Sequence, residues 1–158
     1  GNGVLTAELC NHAGRVISCE VDKKLFDSAR KKLAGCSNLL LVNGDGFKLG
    51  HGFNVFVSNL PYSRSRTAVE WLATRDFGHG VIVVQKEFAE KLLATEGRTY
   101  RAVSILAQHC LDMHQVMHVS RNCFEPRPRV DSVMLKIAKI CRWKCSATST
   151  GRSINFLL

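Results

Sequence analysis

The feature that most constrains this chain is an alternation. From residue 15 to residue 110, short apolar, β-branched runs take turns with amphipathic segments. "RVISCEV" (15–21), "NLLLVNGD" (38–45), "FNVFVSN" (53–59) and "HGVIVVQ" (79–85) read as strands. Helices are predicted over 23–34, 65–74, 86–97 and 100–110. In the first, Leu25, Phe26, Ala29 and Leu33 share a face opposite lysines and an arginine. Ser65 is expected to cap the second, and the third to stop near Gly97. Two further strands, 113–120 and 130–140, have only "RNCFEPRPR" between them and are expected to pair antiparallel. Strand–helix alternation with continuous apolar strands implies a Rossmann-like α/β fold, its sheet mostly parallel with an antiparallel C-terminal pair.

In such sheets ligands bind beyond the carboxyl ends of the strands. Here those ends are Glu20-Val21-Asp22, Asn43-Gly44-Asp45-Gly46 and Ser58-Asn59-Leu60-Pro61-Tyr62. Gly1-Asn2-Gly3, ahead of Leu5-Thr6, resembles the rear of a glycine-rich loop that opens a helix; a plain turn reads equally well. Glu20 can accept hydrogen bonds from both ribose hydroxyls of a nucleoside cofactor; a surface Glu is the plainer alternative. Asp45 can accept from an exocyclic amine such as adenine's, or serve only its turn.

The stretch "VFVSNLPYSRS" (55–65) carries more chemistry than a strand end needs. An aromatic amine is a poor nucleophile, because its lone pair is delocalised into the ring. The Asn59 amide oxygen and the Leu60 carbonyl can accept its two N–H groups and aim the lone pair at an electrophile. Pro61 restricts Leu60 to extended backbone. Tyr62 offers a face for stacking a base, and Arg64 and Arg66 can hold flanking phosphates. Arg127 and Arg129 can touch phosphate too, or stand as solvated loop arginines.

Charge agrees with a polyanionic partner. The net is +9, and residues 98–158 carry 10 Lys/Arg against 3 Asp/Glu. The chain lacks the roughly 18 consecutive apolar residues of a membrane span, so no membrane partner is expected. Seven cysteines without a CxxC pair point to a reducing, cytosolic compartment. His109, His114 and His118, with Cys110 nearby, are read as strand and helix residues, and no metal is expected.

Several of these segments together resemble a family. CEVD (19–22), NGDGFKL (43–49), SNLPYSRS (58–65), VVQKEFAEKLLA (83–94) and FEPRPRVDSVMLKI (124–137) are similar to the ribosomal RNA adenine N6-dimethyltransferases. These are small-subunit dimethyladenosine transferases, related to the macrolide-resistance methylases. The resemblance implies a class I methyltransferase sheet and S-adenosylmethionine as cofactor. It implies cofactor contacts at Gly1, Gly3, Glu20, Val21, Gly44, Asp45 and Asn59. It makes Asn59, Leu60, Pro61 and Tyr62 the catalytic stretch, and Tyr62 and Phe124 the aromatics that sandwich a flipped adenine. The implied partner is small-subunit ribosomal RNA in an immature small subunit. The protein is expected to act as a monomer in the cytoplasm, or in a nucleolus or organelle if eukaryotic.

The resemblance also leaves gaps. The family's first strand, central to its sheet, has no counterpart, and the chain begins inside the glycine motif. A catalytic domain over 1–141 is therefore expected to lack that strand. Residues 142–158 are expected to be a linker and the opening of a truncated helical domain. Four alternatives remain open at this point: an RNA-binding assembly factor, an organellar transcription-factor-like relative, a large-subunit adenine methylase, and an inactive fragment.

Overall fold

The chain, a computed structural model, is described over residues 3–140 and, as backbone, 153–157. It divides into two compact units. The first comprises the described residues through Ser58 together with 153–157, and the second runs from Asn59 to residue 140.

In the first unit α1 (Val4–His12) leads into β1 (Arg15–Glu20), α2 (Lys23–Lys32), β2 (Leu39–Asn43) and β3 (Val55–Asn59). β1 pairs parallel with β2, Val16 opposite Leu39 and Glu20 opposite Asn43. Every residue of β1 after Arg15 is buried, as expected of a parallel strand covered on both faces. α1 and α2 pack against it. α2 turns Ala29 inward and leaves its lysines outside, and Leu33 is buried just beyond its end. Asp22 caps α2: its carboxylate accepts from the backbone N–H of Lys24 (2.8 Å) and Leu25 (3.0 Å).

Residues 153–157 correct one expectation. They form a strand, β7 (Ser153–Leu157), rather than the opening of a helical domain. β7 lies parallel between β1 and β3, with Val16 and Val55 both opposite Ile154. The place that the resemblance leaves for an absent central strand is thus filled. The physical reason is backbone satisfaction: two parallel strands in a buried sheet need hydrogen-bonding neighbours on their inner edges. Ile154, Phe156 and Leu157 are β-formers suited to that position. The linker expected before them lies outside the described residues.

The second unit holds α3 (Ser65–Ala73), β4 (His79–Gln85), α4 (Lys86–Leu93), α5 (Ala102–Cys110), β5 (Leu111–Val119) and β6 (Ser132–Lys139). β6 is the middle strand, antiparallel to β4 on one side and to β5 on the other. The expected pairing of the last two strands of that alternation is present, with an irregularity between Gln115 and Met117. Val133, Leu135 and Ile137 carry the core side of β6. No helix among the described residues is long and apolar enough to cross a membrane.

Two helix boundaries differ from expectation. Ser65 does not cap α3. A 3-10 turn over Tyr62–Arg64 runs straight into the helix, so Ser65 is already helical (φ −58°, ψ −43°), and its buried hydroxyl has no partner. α4 ends at Leu93 rather than near Gly97. Gln108 of α5 donates to the carbonyls of Leu92 (2.8 Å) and Ala94 (2.7 Å), satisfying groups that a longer helix would have used itself.

Asp22→Ala is expected to cost about 1 kcal/mol of stability and Asp22→Asn only a few tenths, read from urea unfolding midpoints.

Candidate functional site

The first unit gathers polar groups at the carboxyl tips of β1 and β2. Glu20 closes β1 and is 4% exposed. Its Oε1 accepts from the Asp22 backbone N–H at 2.9 Å. The β2 tip is tied to it. Asn43 Nδ2 donates to the carbonyls of Glu20 (2.8 Å) and Val21 (3.4 Å), and the Gly44 N–H donates to the Glu20 carbonyl at 3.0 Å. These bonds fix the two strand ends through the Glu20 and Val21 carbonyls. Val21, beside Glu20, is exposed. Gly44 has no atom within 4 Å of the place a Cβ would occupy, so its backbone has an open side. Asp45 accepts from the Phe47 N–H at 3.0 Å and starts a 3-10 turn over 46–48. Its charge also reaches Cys19, adding to the burial that pushes that thiol up to about 11.

Gly3 sits at the N-terminal end of α1 with φ +76°, a region that side chains with a Cβ rarely enter. It is buried against Leu33. Gly1 lies outside the described residues.

The second unit opens on the stretch that follows Ser58. Asn59, the last residue of β3, is exposed. Leu60 is buried and anchors the turn from the inside. Pro61 is extended (φ −53°, ψ 135°), and its carbonyl accepts from the Arg64 N–H at 2.8 Å. The chain therefore bends back at once, and the side chain of Tyr62 is held half-buried. Its hydroxyl lies 2.6 Å from the hydroxyl of Ser132, the first residue of β6. Phe124 is half-buried just after a 3-10 turn over Arg121–Cys123. The loop carrying it is closed where the Arg121 N–H donates to Asp131 Oδ1 at 2.9 Å, and the Lys86 N–H donates to the Asp131 carbonyl at 3.0 Å.

The arginines divide. Arg127 and Arg129 are exposed on that loop, and the Arg129 carbonyl accepts from Arg121 Nη1 at 3.2 Å. Arg64 is half-buried. Arg66 is engaged with Glu70 one helical turn on, at 2.7 Å, so its charge is partly answered within α3. His114 pairs with Asp112 at 3.0 Å, and His118 with Gln115 at 2.9 Å. Among the described residues no three His, Cys, Asp or Glu side chains come together as a metal site would require. An open cleft of about 420 Å³ between the end of α4 and β5 is lined by Glu90, Thr95, Gln115 and His118, among others, and by none of the expected site residues.

Sequence reasoning missed Asn43 and Ser132. An Asn-Gly after a strand reads as a turn, and a serine inside "VDSVML" reads as a neutral strand residue. Each is conspicuous only once its partner is known to lie beside it.

A family model described as "Ribosomal RNA adenine dimethylase" matches residues 1–143. A protein of Thermococcus sibiricus, called a probable ribosomal RNA small subunit methyltransferase A, is 35% identical over 137 residues, 85% of this chain and 50% of its own length. A dimethyladenosine transferase structure from Plasmodium falciparum superposes with a TM-score of 0.82 at 32% identity, over 89% of this chain and 53% of that one. The 23S rRNA methyltransferase ErmE gives 0.79 at 30%, over 89% and 59%. The chain spans about half the length of the curated relatives it matches.

The buried thiols give a pH dependence. Cys19 is raised from 9.0 to about 11 by burial and then by Asp45; Cys10 is raised to about 11 by burial and by its hydrogen bond to Cys36. The fold favours both thiols neutral. Their contribution is full below pH 9 and is lost as pH climbs through about 11. Urea midpoints are expected to fall over that window. Exposed Cys123 is expected to react with a thiol reagent at pH 8 long before Cys19 does.

Proposed function

The chain belongs to the ribosomal RNA adenine dimethylase family, and from that premise we propose that it forms the methyl-transfer part of an enzyme that dimethylates N6 of adenine in small-subunit ribosomal RNA. The observation that carries the reading is the tip of β3: an exposed Asn59 amide, a buried Leu60, an extended Pro61 and a half-buried Tyr62 whose far end is hydrogen-bonded.

S-adenosylmethionine is the methyl source that this reading requires, and when bound it supplies a methyl group on a positively charged sulfur. The residues of the first unit fit it. Gly3 opens α1 with the positive φ of a close backbone approach. The buried Glu20 carboxylate stands at the β1 tip, the position from which an acid can accept from ribose hydroxyls. Asp45 can accept from the adenine amine of the cofactor, with Val21 packing on that ring. Gly44 lets a ligand come close to the backbone.

The target is a second adenine, and it must leave its stack before a side chain can reach N6. Tyr62 and Phe124 offer it stacking faces in exchange for those it gives up. Asn59 Oδ1 and the Leu60 carbonyl then accept its two N–H groups. That fixes the amine with its lone pair pointing one way, so the gain comes from orientation. No side chain needs a pKa near 7, because the N–H becomes acidic only as the new C–N bond forms. After the first transfer one N–H remains, enough for a single acceptor to hold the amine for the second. Arg64, Arg127 and Arg129 are placed to answer flanking phosphates, and Arg66 contributes less while paired with Glu70.

The likeness to a 23S rRNA methyltransferase keeps a large-subunit adenine as the second reading.

The test is incubation of the chain with immature small subunits and labelled S-adenosylmethionine, followed by mass spectrometry of the adenosines and primer-extension mapping. Dimethyladenosine in small-subunit RNA is the expected product. Label found only in large-subunit RNA selects the second reading, and none in either overturns both. Asn59→Ala is expected to lower transfer by roughly 100-fold or more with cofactor binding nearly kept. Glu20→Gln is expected to weaken cofactor binding roughly tenfold by calorimetry.

A further inference from the structure

Ser132 is a strange residue for its position. It begins β6, the middle strand of the second unit, opposite Gln85 on one side and Val119 on the other. It has no solvent exposure. A buried hydroxyl needs a partner, and this one has Tyr62, 70 residues earlier in the chain, at 2.6 Å. That is the short end of the range for O–H···O bonds.

Stacking on a base needs only a flat ring, which phenylalanine supplies equally well. The Tyr62 hydroxyl therefore adds nothing to stacking itself. What it adds is a second point of attachment. A ring held at Cα alone can swing about χ1 and χ2; a ring held also at its far edge cannot. The far-edge anchor is rigid, because Ser132 sits in a strand paired on both sides. It also adjoins Asp131, whose carboxylate and carbonyl take the backbone N–H groups of Arg121 and Lys86. Asp131 and Ser132 thus form the root of the loop that carries Phe124, Arg127 and Arg129. One hydrogen bond ties the turn bearing Tyr62 to the foot of the loop bearing Phe124.

We propose that Ser132 is a positioning residue: through the Tyr62 hydroxyl it fixes the angle of the ring on which the target base stacks, and couples that ring to the Phe124 loop. The proposal rests on the reading of Tyr62 as a base-stacking residue. It predicts that Ser132 acts wholly through Tyr62, so removing either hydroxyl should have the same effect and removing both should have no more.

The experiment uses the chain with Tyr62→Phe, Ser132→Ala, Ser132→Thr and the Tyr62→Phe/Ser132→Ala pair. The first readout is the fluorescence of 2-aminopurine at an unpaired position of a short RNA, quenched when the base stacks on an aromatic ring. The second is NMR of ring-labelled tyrosine, in which an anchored Tyr62 shows a slowly exchanging hydroxyl proton and restricted ring motion. Tyr62→Phe and Ser132→Ala are each expected to reduce quenching about fivefold, compared at saturating protein. The double variant is expected to match the singles. Ser132→Thr, which keeps a hydroxyl, is expected to restore both signals. A general loss of packing would instead be indifferent to Thr and would add to Tyr62→Phe.

Additive effects in the double variant overturn the proposal. So does a Tyr62 ring that stays ordered in Ser132→Ala, or quenching that the wild-type chain never shows. Methyl transfer is measured separately. A chain that transfers no methyl group but shows Ser132-dependent quenching fails the functional reading and leaves Ser132 its role.

Discussion

The arrangement depends on parallel register in the first unit. Parallel strands share a direction, so their carboxyl ends must lie along one edge, and whatever follows each strand is delivered there. Val42, Cys19, Leu157 and Ser58 stand level across the four strands. Asn43 and Glu20 are the residues just past that row, and Ser58 is followed by Asn59, where the second unit opens. A one-residue slip of β1 would turn Glu20 to the opposite face of the sheet. The Asn43 and Gly44 hydrogen bonds to the end of β1 oppose that slip at the place where it would matter most.

The second unit solves a different problem. Its strands pair antiparallel, so they contribute rigidity while turns carry the candidate site residues. Turns are poor places for precise geometry unless something pins them. Here the pins are local and polar: the Pro61 carbonyl with Arg64, the Tyr62 hydroxyl with Ser132, and Asp131 with Arg121 and Lys86. The second uses a hydroxyl, that of Ser132, which would otherwise be buried without a partner, so there stabilising the turn and shaping it are one act.

Periodicity made the interior strands legible, because β1 is buried after Arg15 while β4 and β6 turn alternate residues inward, and their composition reflects it. Helix ends were less so. The end of α4 is decided by Gln108, a side chain from the next helix, and no local rule over 86–97 contains it. Ser65 has the chemistry of a cap, yet the 3-10 turn before it takes up the backbone groups a cap would serve. Residues 153–157 read as a domain opening because their partners in pairing lie far earlier in the chain. Among the candidate site residues, Glu20, Asp45 and Asn59 could be named from strand ends alone. Ser132 could not, since its significance lies in a contact across the fold.

β7 has a consequence for how the molecule comes into being. Its two neighbours are complete roughly a hundred residues before it emerges during synthesis. Among the described strands only β7 covers the inner edges of β1 and β3, and an uncovered inner edge is a template for any extended peptide nearby. The second unit, contiguous in sequence and built from antiparallel neighbours, has no such wait. Contiguity therefore favours an order in which the second unit settles first and the first closes around β7 afterwards.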